Sequence, residues 1–257
     1  MPFGSIFSKF KEFSATTADD KIIKIKNNFI TCVGFKIFGV PHIGLRLRAR
    51  KIIKNSKKNI KSLLDAGCGT GVYSFYFTKK IKKIEAIDIS KEKIGFLKKE
   101  NIFKNIQFSV ADLCKLPFKN NSFDQIICSD VLEHIKDDKK ALLELKRVLK
   151  IGGILLLTIP FNSKKNKITY NKFNHERAGY DLDFFKRIAR NNNLLIEKAE
   201  FYSYDLSDKI SNFTYKYIDD KILLGIIFYP CYILSMIFDF LKIGKPNGFF
   251  VKLKKIN

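Results

Sequence analysis

Asp65-Ala66-Gly67-Cys68-Gly69-Thr70-Gly71 is the stretch on which the reading of this chain turns. The apolar run Ser62–Leu64 leads into it, and a short helix is predicted to follow. Three alternating glycines at a strand-to-helix turn let a ligand come close to the backbone. The first N–H groups of the helix would then face a negative group such as a carboxylate. A glycine turn made only for packing would look the same in isolation, so the flanking sequence must arbitrate.

Outward from that turn, strands and helices alternate. Ile84–Ile89, Ile106–Val110, Phe123–Cys128 and Ile154–Ile159 read as strands. Ser90 is placed to cap a helix over KEKIGFLKKEN. Residues 138–149 carry apolar positions at helical spacing, and Gly152–Gly153 are expected to end that helix. Such alternation implies parallel strands joined by right-handed crossovers. Upstream, residues 42–61 read as a basic amphipathic helix and a turn, with Leu45, Leu47, Ile52 and Ile53 on one apolar face. Downstream, Asp181 is placed to cap a helix over LDFFKRIARNNN. Leu194–Phe201 and Gly248–Lys254 complete the list of candidate strands.

Acidic residues recur at the strand ends. Asp88 ends the second strand, where a carboxylate can accept hydrogen bonds from both hydroxyls of a ribose. Asp112 follows the third, where it can accept from an exocyclic amine of adenine. Each Asp alone also suits a simple turn. At the carboxyl ends of successive parallel strands they face one crevice.

In order, LLDAGCGTG, IEAIDIS, VADLCKLPF, FDQIICSDVLEHI and LKIGGILLLTIP resemble the successive motifs of class I S-adenosylmethionine-dependent methyltransferases over about residues 60–160. The resemblance implies an α/β, Rossmann-like seven-stranded sheet, mostly parallel with an antiparallel last strand and helices on both faces. It implies S-adenosyl-L-methionine as cofactor, bound by Asp65, Gly67, Cys68, Gly69, Gly71, Asp88, Ile89, Asp112, Leu113 and Ser129. Gly67, Gly69 and Gly71 would border the methionine part, with Asp65 near its amino group, Asp88 at the ribose, Asp112 at the adenine and Ser129 facing the cofactor. GxGxG lacks the GxGxxG spacing of nicotinamide-binding proteins. Ser129-Asp130-Val131-Leu132-Glu133-His134 also lacks the Asn/Asp-Pro-Pro-aromatic run of amino-methylating nucleic-acid enzymes, and resembles the small-molecule and lipid-precursor branch. In that pattern His134 sits early on a helix and is more often structural.

Beyond residue 160 the resemblance thins. Asn174-His175-Glu176-Arg177-Ala178-Gly179-Tyr180 lies where it can fold over the crevice. His175 is the candidate general base, an imidazole ordinarily titrating near neutral pH. Arg177 and Tyr180 are candidate substrate contacts, Arg177 for an anionic group. No cluster of carboxylates points to a metal.

Composition bounds the rest. The 257 residues are 46% hydrophobic and 28% charged, which excludes a mainly disordered or disulfide-stapled chain. Five scattered cysteines, none in a CxxC pair, read as reduced thiols in a cytoplasmic protein, and the first residues lack a secretory signal. The net charge is +23. Of the 48 basic residues 41 are Lys and only 7 are Arg, which fits compositional drift of an AT-rich genome as well as selection. The excess nevertheless concentrates in residues 1–61, with 14 basic and 3 acidic groups, and such a flank favours anionic partners: membrane phosphates or nucleic acid.

Ile222–Phe238 is a 17-residue stretch without charge, short for a membrane span and interrupted by Pro230, which is expected to kink it. A bent helix dipping into one leaflet, a cap over the crevice or a dimer contact all fit. A span would part the final strand from its sheet.

The expected organisation is a basic helical extension (1–58), a cofactor-binding core (59–202), an apolar helical insertion (203–246) and a last core strand (247–257). The expected function is methyl transfer to a small or lipid-linked amphiphilic acceptor, such as a quinone precursor or lipid-linked saccharide, at the inner face of a membrane. Nucleic acid is the disfavoured partner. RNA or protein methylation and a non-catalytic cofactor-binding role are the alternatives.

Overall fold

The computed structural model describes residues 12–16, 22–26, 43–101, 103–163, 175–218 and 229–257. Most of the basic N-terminal flank, residues 164–174 and residues 222–228 of the apolar stretch lie outside the described residues. The chain divides into two compact units: Lys51–Phe201 with Asn247–Asn257, and Met1–Arg50 with Tyr202–Pro246.

The larger unit is built on a seven-stranded sheet. Its strands are β3 (Ser62–Ala66), β4 (Lys83–Asp88), β5 (Ile106–Val110), β6 (Phe123–Ser129), β7 (Leu149–Pro160), β8 (Leu194–Tyr204) and β9 (Pro246–Lys255), in the order β5-β4-β3-β6-β7-β9-β8. β3 through β7 pair in parallel, and β9 runs antiparallel to β7. The last strand thus inserts between β7 and β8. Every residue of β3 is buried, as expected of a central strand covered on both faces.

The crossover helices are α2 (Val72–Phe77), α3 (Lys91–Glu100), α4 (Asp138–Val148) and α5 (Leu182–Asn191). A short 3-10 turn, Leu132–His134, precedes α4. α4 buries Ala141, Leu142, Leu145 and Val148, one stripe at helical spacing, against Leu64, Ile126, Leu155 and Val251 of the sheet. Phe184 and Phe185 of α5 join the same cluster. The side chains of Ser90 and Asp181 accept from the N–H groups of Lys93 and Phe184, so both expected caps form.

Gly152 and Gly153 do not end α4. The helix stops at Val148 and β7 begins at once. The register between β6 and β7 shifts between Phe123 and Gln125. At Gly153 an added Cβ would stand 3.0 Å from the Asp124 carbonyl oxygen and 2.8 Å from that of Lys150. The glycine pair therefore serves a β-bulge, where neighbouring backbone comes close.

The smaller unit holds a two-stranded antiparallel ladder, β1 (Glu12–Thr16) with β2 (Ile22–Lys26), and the helices α6 (Asp205–Ile218) and α7 (Tyr229–Phe240). α1 (Ile43–Asn55) carries the buried residues Leu47, Ala49 and Ile52. Within the smaller unit Gly44 N donates to Ser211 Oγ, and the Arg46 guanidinium lies 4.3 Å from the Tyr232 ring centre. Asp239 on α7 accepts from Ser203 N at 2.6 Å, and Ser235 Oγ donates to the Ser207 carbonyl. Pro230 falls in the first turn of α7, where its missing N–H costs no hydrogen bond; the expected kink involves residues 222–228, which lie outside the described residues. Among the described residues no helix is long and apolar enough to cross a membrane.

Candidate functional site

Because β3, β4, β5 and β6 are parallel, their carboxyl ends share one edge of the sheet. Register aligns Ala66 with Ile87 and Asp88 with Val110, which brings the glycine turn, Asp88 and the turn bearing Asp112 side by side.

The glycine turn hangs from β4. Gly67 N and Cys68 N both donate to the Ile87 carbonyl at 2.8 Å. Gly67 has φ +75°, and an added Cβ would collide with the methyl groups of Val131. The turn that follows β6 therefore closes directly on the glycine turn. Gly69 has φ +52°, but nothing lies within 4 Å of where its Cβ would be. Backbone is open to the outside at that glycine.

Asp65 does not point into this space through Oδ2. That oxygen accepts from Ser74 Oγ at 2.6 Å and Ser74 N at 3.0 Å. The carboxylate thus satisfies an N-terminal donor of α2, the place a ligand's negative group was expected to take. Burial, the largest cause, raises its pKa to about 6, against the Ser74 hydrogen bonds and with the nearby Asp88 charge. The same burial, with Asp65 and Asp88 beside it, keeps the Cys68 thiol protonated.

Asp88 joins two backbones. Its Oδ2 accepts from Gly69 N and its Oδ1 from Ser90 N, each at 2.9 Å. A carboxylate has about four lone-pair sites, so this leaves acceptor capacity for a pair of hydroxyls. Ile89 beside it is 72% exposed, an apolar surface at the mouth of the crevice. Asp112 is exposed, and its Oδ1 accepts from Cys114 N, as the simple turn role requires, while its other oxygen is not part of that bond. Leu113 is buried beneath it. Ser129 Oγ lies 2.6 Å from Thr158 Oγ1 and 3.0 Å from the Tyr73 hydroxyl, forming a chain of three hydroxyls. Tyr73 carries no motif signal, and only the α2 position facing β6 reveals it.

The segment after β7 is partly a correction. Tyr180 is 1% exposed, and its hydroxyl donates to Asp138 Oδ2 at 2.9 Å. Packed against Phe184 and Phe185, it is an anchor in the core and not a substrate contact. Burial, then Asp138, hold its phenol far above the usual range. Arg177 Nε donates to the same Asp138 oxygen at 2.7 Å, while 43% of its side chain remains exposed. His175 lies edge to face with His134, ring centres 4.6 Å apart. Burial first, then the neighbouring His134, lower its pKa to about 4, so the near-neutral titration expected of it does not hold. Glu176 N and Arg177 N both donate to the Glu133 carbonyl, tying this segment to the turn after β6. Asp138, the first residue of α4, carries no signal in the sequence that marks it as the shared partner of Arg177 and Tyr180.

Known proteins place this architecture. Residues 64–157 match the methyltransferase-domain family. An uncharacterised methyltransferase of Schizosaccharomyces pombe is 39% identical over 108 residues, 37% of this chain and 38% of that one. Phosphoethanolamine N-methyltransferase 1 of Arabidopsis thaliana is 30% identical over 153 residues, 57% of this chain and 31% of that one. The solved structure of Haemonchus contortus phosphoethanolamine N-methyltransferase 2 with S-adenosyl-L-methionine aligns with TM-score 0.60 at 19% identity, covering 85% of this chain and 53% of that one. The chain spans 26–40% of the length of the curated relatives it matches. Residues 64–157, which carry most of the parallel part of the sheet, are thus similar to a methyltransferase domain.

Proposed function

We propose that the protein transfers a methyl group from S-adenosyl-L-methionine to a small or lipid-linked amphiphilic acceptor at a membrane surface. The observation that carries the cofactor assignment is the open backbone at Gly69, with Asp88, Ile89 and Asp112 along the same sheet edge. A nucleoside bearing an uncharged sugar and an amine fits acceptor-only carboxylates at the ribose and adenine positions. When bound, the cofactor supplies a methyl group on a sulfonium, already an activated leaving group.

The chain's own residues have the remaining work. Asp88 holds the glycine turn in shape through Gly69 N and presents its other lone pairs to hydroxyls. Ile89 offers a flat apolar contact. The Tyr73–Ser129–Thr158 hydroxyls fix the end of β6. The segment from His175 to Tyr180, anchored on Asp138, limits water at that end of the sheet. The exposed guanidinium of Arg177 remains suited to an anionic group on the acceptor.

The membrane part of the reading rests on α7. Ile233, Ile237 and Phe240 recur at helical spacing on α7 and all are exposed, Phe240 at 81%, and the exposed Leu241 follows directly after the helix. An apolar helix face together with a basic flank supplies the two attachments that reversible membrane binding needs. Relatives named for small acceptors, among them a ubiquinone/menaquinone biosynthesis C-methyltransferase of Coxiella burnetii (34% identical over 105 residues), agree in acceptor size.

The test is incubation with methyl-labelled cofactor and separated lipid, RNA and protein fractions, with Asp88→Ala as control. Label in the organic phase, lost in the variant, is expected. Label in RNA or protein instead would overturn the acceptor assignment, and no transfer to any fraction would overturn the activity.

A further inference from the structure

The turn after β6 and the segment after β7 bring three metal-ligating side chains together. One ligand atom from each of Glu133, His134 and His175 lies within 4.8 Å of the other two. The two histidine rings stand at 86° to one another. The backbone holds the set in place. Glu133 accepts from Glu176 N at 2.7 Å and Arg177 N at 3.2 Å, so the residues that follow His175 are fixed to the turn bearing the other two. Glu133 is 1% exposed, His175 is partly buried and His134 faces solvent. An ion therefore has a route in and a rigid floor to rest on.

We propose that Glu133, His134 and His175 bind a divalent first-row transition ion, zinc being the chemistry they fit best, with a position left open for an oxygen ligand. Two imidazoles and one carboxylate, with a fourth position free, are the donor set of open zinc sites. Ligands about 2.1 Å from a tetrahedral ion lie about 3.4 Å apart, so small rotations of the two rings close the present arrangement. Arg177, two residues on from His175, has its Nε engaged by Asp138 at 2.7 Å. The same turn carries Val131, against which Gly67 packs, so the ion sits close to the sheet edge bearing the glycine turn. An acceptor hydroxyl, phosphate or carboxylate oxygen is the class of ligand its open position would take. This assignment rests on the three side chains alone and stands or falls separately from methyl transfer.

The test uses the full chain, stripped with a chelator and titrated with Co2+. The parent and His42→Ala are expected to bind about one ion per chain and to develop the visible bands of a low-coordinate cobalt site. His134→Ala and His175→Ala are each expected to weaken binding at least about tenfold, and Glu133→Gln to change the spectrum. His134 is exposed, so its replacement is expected to change the melting temperature little, and a melt run beside each titration separates loss of a ligand from loss of fold. Bands of equal strength in the parent and both histidine variants would mean adventitious surface binding, and absence of any bands would mean no site. Either overturns the proposal. Calorimetry of S-adenosyl-L-methionine binding to the metal-free protein is read in parallel. Cobalt binding without cofactor binding would sink the proposed function and leave the metal site standing.

Discussion

Asp65, at the end of β3, grips Ser74 on α2 twice through one oxygen, at 2.6 Å from the hydroxyl and 3.0 Å from the backbone nitrogen. This contact sets the angle at which α2 leaves the glycine turn, and it buries a carboxylate that the surroundings favour in protonated form.

A pH signature follows from that burial. Asp65 has a folded pKa of about 6 against 3.8 in the unfolded chain. Between those values the native state keeps a proton that the unfolded state has lost, so stability falls as pH rises through the window. The contribution approaches about 3 kcal/mol by neutral pH. His175, with its lowered pKa, gives the opposite slope over much of the same range. The quantity to read is therefore the difference between the parent and Asp65→Asn, which keeps an acceptor for Ser74. Urea unfolding from pH 4 to 7 is expected to show the parent losing stability relative to the variant. A constant difference would refute the buried-acid account.

Two glycines of one turn should fail differently. Gly67→Ala forces a methyl group into Val131 at a left-handed backbone position. It is expected to cost about 2–4 kcal/mol, by overpacking together with the backbone penalty, with partial recovery in the Gly67→Ala/Val131→Ala double variant. Gly69→Ala meets no neighbour, so only the backbone cost of about 1–2 kcal/mol applies. Its Cβ instead occupies the open space, and cofactor affinity should fall at least tenfold while the fold persists. Thermal melts and calorimetry together separate the two outcomes. Equal cofactor affinity in Gly69→Ala and the parent would remove the open glycine from the binding site.

The sheet is legible because its central strands, such as Leu149–Pro160, are rich in apolar residues and others, such as Ile106–Val110, alternate apolar with polar, and both patterns show in periodicity. Ile106–Val110 was read with its observed ends, and Ser90 and Asp181 cap where their side-chain chemistry suggests. What escaped was pairing across distance. Gly152–Gly153 is a helix stop by local rules, and only the β6–β7 register makes it a bulge. The Asp138 partner of Tyr180 and Arg177 is not legible, because nothing near them in sequence announces it; that contact takes the Tyr180 hydroxyl into the core and leaves the Arg177 guanidinium partly exposed. The lowered pKa of His175 is not legible either, since neither its burial nor His134 beside it is visible in one dimension.

The Asp138 anchor should be cooperative. Its oxygen accepts from both Tyr180 and Arg177. Tyr180→Phe removes one donor and leaves the buried carboxylate paired, at an expected cost of about 1 kcal/mol. Asp138→Ala strands a buried phenol and a partly buried guanidinium, for about 3–5 kcal/mol. In the double variant the phenol is no longer stranded, so the combined loss should be smaller than the sum. Denaturant unfolding of the four proteins gives the coupling, and strict additivity would show that the bonds act independently.

The exposed face of α7 makes a separate demand. Phe240 is 81% exposed and Ile237 46%, so changing both to Lys is expected to lower the melting temperature only slightly. Embedding such side chains in a bilayer interface is worth about 1.5–3 kcal/mol for each one fully removed from water. The Ile237→Lys/Phe240→Lys protein is therefore expected to bind anionic vesicles at least tenfold more weakly at moderate salt, even though the change adds positive charge. That opposition makes the experiment decisive. If binding strengthens, charge alone holds the protein to the surface and α7 faces some other partner. If it weakens, as expected, insertion of the apolar face dominates over attraction by the basic flank.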